Sequence, residues 1–73
     1  MPDEHARYIW FGPPTVQALR AALNAASADA ILVFRGPWNE KATVEVVEPN
    51  EKVADAAGAG ALNEAHPCPP SCA

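Results

Sequence analysis

Apolar and polar positions recur with two different periods along the first fifty residues. ARYIWF, residues 6 to 11, is a short aromatic and β-branched run that stops at Gly12-Pro13-Pro14, which predicts a strand ended by a turn. In the following stretch, PTVQALRAALNAASA, the residues Val16, Leu19, Ala22, Leu23 and Ala26 fall at helical spacing. An amphipathic helix starting at Pro14 or Thr15 follows, since proline is favoured in a first helical turn, where its missing N–H costs nothing. AILVF, residues 30 to 34, is a continuous apolar run of the kind found in a strand covered on both faces. RGPWNEK then supplies turn residues in Gly36, Pro37 and Asn39, and ATVEVV resumes with Val44 and Val46 on one face and Thr43, Glu45 and Val47 on the other. Strands two and three are therefore expected as an antiparallel hairpin. Pro49 stops the third strand, Asn50 is placed to cap, and EKVADAAG has the form of a short second helix ending at Gly58.

The expected fold class is a small α+β domain of order β-α-β-β. Strand, crossover helix and strand are normally joined right-handed with the strands parallel, which predicts a three-stranded mixed sheet carrying one main helix on one face. Strand one has Tyr8 and Trp10 on one face and Ile9 and Phe11 on the other; strand two opposes Ile31 and Val33 to Leu32 and Phe34. One helix covers one face. The other must meet the short second helix, the chain end, a second copy or another protein, and a one-residue change of register would exchange the two faces. Tyr8, Trp10, Phe34 and the turn residue Trp38 are the candidate binding surface, because aromatic side chains left on a surface are the anchors that interfaces favour.

Composition sharpens this picture. A chain of 73 residues allows one domain, which buries only about 60% of the surface its unfolded form exposes. The 49% apolar share is inflated by alanine, with two Phe, two Trp and one Tyr, so the core is thin and a partner would support it. The texture also changes near Gly58, after which AGAGALNEAHPCPPSCA is small and proline-broken. That break divides the chain into a domain over residues 1–58 and a flexible tail over 59–73. Five basic against nine acidic residues give a net charge of −4, which disfavours nucleic acid as a partner because no dense basic patch can form. No segment has the roughly 18 to 20 apolar residues of a membrane span, and MPDEHARY is too polar for a signal peptide. A cytoplasmic protein with no membrane partner is the expectation.

Catalytic chemistry has little to stand on. The sequence contains no Gly-x-Ser-x-Gly and no His-Glu-x-x-His. Gly12-Pro13-Pro14-Thr15 joins strand to helix as a phosphate loop would, but its two prolines lack the amide donors. His5 and His66 lie in the terminal segments, and neither an enzyme nor a cofactor is expected.

The last eight residues, HPCPPSCA, hold both cysteines. His66, Cys68 and Cys72 are soft or borderline donors suited to zinc or copper(I). Their Cys-x3-Cys spacing departs from the usual Cys-x2-Cys, and His5 or Glu64 would have to complete the set. A disulfide between Cys68 and Cys72 would close a short loop and clip the tail, whereas a reducing compartment would leave both thiols free. Gly58-Ala59-Gly60 resembles the leader–core junction of ribosomally made, post-translationally modified peptides. The resemblance implies residues 1–60 as leader and 61–73 as core, with dehydrated Ser71 accepting a thiol from Cys68 or Cys72. The leading expectation is a non-catalytic protein-binding or regulatory module that uses an apolar sheet face toward a protein partner or a second copy. The modified-peptide precursor and the metal-binding tail stand as alternatives.

Overall fold

A computed structural model describes residues 6–73; Asp3, Glu4 and His5, and with them most of the polar start, lie outside the described residues. The elements run β1 (Tyr8–Phe11), α1 (Pro13–Ala25), β2 (Ile31–Arg35), β3 (Thr43–Val47) and β4 (Ala65–Cys68). The α+β class is as expected, but the four strands form two separate antiparallel pairs.

Gly12 ends β1 and stands at the N-cap of α1 with extended backbone; prolines occupy the first helical positions, and the Val16 N–H closes the first turn on the Gly12 carbonyl at 3.0 Å. No side chain caps the helix, so the prolines, which remove two orphan donors, do that work. At the other end the Ala26 N–H returns to the Leu23 carbonyl, and the next amide, on Ser27, is taken by the Glu48 carboxylate at 3.2–3.3 Å. Within α1 only Thr15 is buried. Leu19, Ala22 and Ala26 are half-buried, while Val16 and Leu23 of the same apolar stripe stay exposed. The helix packs on β3 rather than on a β1–β2 pair.

The β2–β3 hairpin matches the expectation, with Ile31 opposite Val47 and Phe34 opposite Val44. Its turn is held by Asn39, whose side chain accepts the Lys41 N–H at 2.8 Å and whose carbonyl accepts the Ala42 N–H at 3.0 Å, the local bonding that makes asparagine a turn residue. On the hairpin face away from Val44, Arg35 and Glu45 form an ion pair at 2.6 Å. The irregular segment after β3 closes over this pair, since Arg35 Nε donates to the Ala54 carbonyl and the Gly58 N–H donates to Glu45.

Three expectations give way. The three-stranded mixed sheet with parallel strands one and two does not form, because β1 pairs antiparallel with β4 while β2 pairs with β3. The short second helix over 51–57 is irregular chain, exposed throughout; it is under the ~12 residues an isolated helix needs, and Val53, its largest apolar residue, stays exposed. And the segment beyond Gly58, expected as a tail outside the sheet, supplies a strand. Leu62 exchanges both backbone bonds with Val44 of β3, at 3.0 and 2.8 Å. Glu64 turns the chain in the left-handed region at φ 66°, and Ala65–Cys68 then runs along β1. Pro67 sits in β4 without loss, because its carbonyl accepts the Ser71 N–H at 2.8 Å and so faces away from β1; a proline on the outer side of an edge strand forfeits no ladder bond. The core is small. Among the described residues the buried apolar side chains are Ala42, Val44, Val47, Ala65 and Cys68, Thr15 is buried as well, and Cys68 is fully so.

Candidate functional site

Two regions carry side chains in chemically uncommon settings. The first is a cleft of about 250 Å³ between β1 and the hairpin, whose walls include Arg7, Tyr8, Ile9, Phe34, Trp38 and Thr43. β1 delivers Tyr8 and Ile9, β2 delivers Phe34, and the hairpin turn delivers Trp38. These aromatics are not folded inward: Tyr8, Phe34 and Trp38 remain 44%, 54% and 57% exposed. Thr43, on the wall, has its hydroxyl oxygen buried without a hydrogen-bond partner among the described residues. Phe34 also borders a neighbouring hollow of about 210 Å³ between β1, α1 and β3, so the space under the helix is incompletely filled. The free edge of β2 adds unpaired backbone, since β2 has a strand neighbour on one side only among the described strands.

Of the four aromatic residues expected to form one surface, three meet at this cleft. Trp10 does not. It lies opposite His66 in the β1–β4 register, and the two rings stack with centroids 4.3 Å apart. Its indole N–H donates to the Ser71 carbonyl at 2.6 Å, which ties β1 to the last turn of the chain.

That turn is the second region. Cys68 and Cys72 are joined as a disulfide around Pro69, Pro70 and Ser71. The two cysteines have different surroundings: Cys68 is fully buried and Cys72 is exposed. Arg7 lies beside both, with Nη2 3.6 Å from Cys68 Sγ and 3.9 Å from Cys72 Sγ. Its backbone N–H meanwhile donates to the Cys68 carbonyl at 2.7 Å. In this form neither sulfur is a thiol, so neither is ready for thioether formation with Ser71 or for thiolate ligation. Among the described residues no three His, Cys, Asp or Glu side chains converge on a position where a metal ion could sit. His66 is turned to Trp10, and Glu64 is exposed. Arg7 was not among the residues singled out from the sequence. A lone arginine ahead of a strand carries no signal, and only the return of β4 brings the sulfurs to it. No helix among the described residues is long and apolar enough to cross a membrane. No protein-family model, curated protein or solved structure matches the chain, so the functional reading rests on the chemistry of these two regions.

Proposed function

We propose that this protein is a small protein-binding module that takes an extended apolar segment of a protein partner into the cleft beside β2. The observation that carries the reading is the convergence of Tyr8, Phe34 and Trp38 on one cleft while all three stay about half exposed. A chain with so small a core gains by covering such a patch, and aromatic anchors in a concave apolar site are where interfaces concentrate their energy. The free edge of β2, ILVFR, supports an extended partner in particular. A strand added there satisfies unpaired N–H and C=O groups and presents alternate side chains to the cleft. Ile31 and Leu32, 52% and 42% exposed, would be covered by the same segment.

The test combines capture with localisation. Wild type, Phe34→Ser and Trp38→Ala are immobilised, a partner is captured from native extract, and the purified partner is titrated against each. Each substitution is expected to weaken binding by more than ~1 kcal/mol, and amide exchange at residues 31–35 should slow when the partner is added. Equal capture by all three proteins, or binding without protection of β2, would overturn the proposal. A concentration-dependent dimer protecting the same amides would assign the site to a second copy instead.

A further inference from the structure

The Cys68–Cys72 pair has a chemical asymmetry that a purely structural clip does not need. A bridge that merely pins a chain end is most durable when both sulfurs are shielded. Here Cys68 is fully buried and Cys72 is an exposed residue, and a guanidinium lies within 4 Å of both sulfurs. Thiol–disulfide exchange requires an accessible sulfur for the incoming thiolate and a leaving sulfur whose negative charge is stabilised; a cation next to a cysteine supplies the second requirement.

We infer that Cys68 and Cys72 form a thiol–disulfide exchange site in which Cys72 is the attacked and attacking sulfur, Cys68 is the resolving sulfur, and Arg7 stabilises the thiolate. In the oxidised form, a substrate thiol loses its proton to solvent and its sulfur attacks Cys72 Sγ. The Cys68–Cys72 bond breaks, and Cys68 leaves with the electron pair as a thiolate beside Arg7. A second substrate thiolate attacks the substrate sulfur of the mixed disulfide and releases Cys72, and both protein sulfurs then take up protons. The balance is one protein disulfide and two thiols in, one protein dithiol and one substrate disulfide out, with two electrons passing to the protein. An external disulfide runs the sequence backward: Cys72 attacks it, and Cys68 then closes on Cys72.

Nearby groups fit these roles. Cys68 is held on β4 by the backbone bond from Arg7, so the resolving sulfur does not move with the turn. The turn residue Ser71 is held by Trp10 through its carbonyl. The other titratable side chains on the two strands are Tyr8, opposite Cys68, and His66, stacked on Trp10. The site does not depend on the partner proposed for the cleft.

The test uses the full chain, reduced with a phosphine and freed of reductant, and an aromatic disulfide that releases a coloured thiolate. Wild type is expected to release two equivalents and end with its own disulfide, two hydrogens lighter and carrying no adduct. Cys68→Ala should release one equivalent and retain the probe on Cys72. Brief alkylation of reduced wild type followed by peptide mapping, which needs no variant, should label Cys72 ahead of Cys68 by on the order of tenfold. Arg7→Gln should slow the Cys72 reaction near neutral pH by on the order of tenfold, displacing its pH profile upward and leaving the high-pH plateau unchanged, with Arg7→Lys retaining most of the rate. A purely structural arginine would not displace the profile. Equal labelling of the two cysteines, a stable adduct on wild type, or an unmoved profile in Arg7→Gln would overturn the assignment.

Discussion

Gly58 packs where no side chain fits. A β-carbon there would stand 2.6 Å from Glu45 Oε2, and that carboxylate is not free to retreat, because Arg35 at 2.6 Å and the Gly58 N–H at 3.4 Å both bond its Oε1. Gly58→Ala is therefore expected to cost about 1 kcal/mol in urea unfolding. Gly60→Ala is the matched control, with nothing within 4 Å of its added carbon. It should be neutral or slightly stabilising through the unfolded chain, and equal midpoints for the two variants would contradict the packing described. The ion pair itself is well shielded, with side chains 11% and 15% exposed. Arg35→Met leaves a shielded carboxylate without its main partner, and a loss of about 1–3 kcal/mol is expected in the same measurement. Both residues looked ordinary in the sequence: Gly58 read as a helix terminator and Glu45 as the polar side of an amphipathic strand. Their roles arise because the segment after β3 is laid over the hairpin.

At the level of elements, the chain end is structural. Ending the protein at Gly58 would remove β4, the Leu62 bridge to β3 and two of the five buried apolar residues, Ala65 and Cys68. Deleting residues 59–73 is accordingly expected to abolish the cooperative thermal transition, and a truncated chain melting with wild type would refute the pairing of β1 with β4. The main helix and the hairpin were legible because each is specified locally: Val16, Leu19 and Ala22 by period, Pro13 and Pro14 by position, Gly36, Pro37 and Asn39 by turn chemistry. β4 was not, since AHPC has one proline, no β-branched residue and no alternation. It is a strand only because β1 offers an edge to it and because Pro67 faces outward. The expected helix over 51–57 failed for the converse reason. Its local signals were present, with Asn50 before it and Gly58 after it, but none of its apolar residues is buried by the rest of the fold.

For the molecule as a whole, the five buried apolar residues among the described ones include no Leu, Ile or aromatic residue, and stability should lie toward the lower end of the usual range, about 4 kcal/mol for this length. Urea unfolding in the oxidised form checks this; a value above about 10 kcal/mol would mean the half-exposed aromatics are covered in solution. Composition already required a thin core, and the unbroken apolar runs in ARYIWF and AILVF already required apolar side chains on both faces of two strands, because a period of two puts successive residues on opposite sides whatever the neighbours are. The aromatic cleft was legible to that extent: Tyr8, Phe34 and Trp38 follow from local pattern and turn position. Their meeting, the withdrawal of Trp10 onto His66, and the placement of Arg7 against Cys68 and Cys72 depend on which strand edges pair. Pairing is a non-local choice, β1 with β2 through the crossover or β1 with β4 from the chain end, and local propensity, which favours the first, does not settle it. It is decided by what each arrangement buries, here the fully enclosed Cys68 and Val44, and no window of sequence contains both partners.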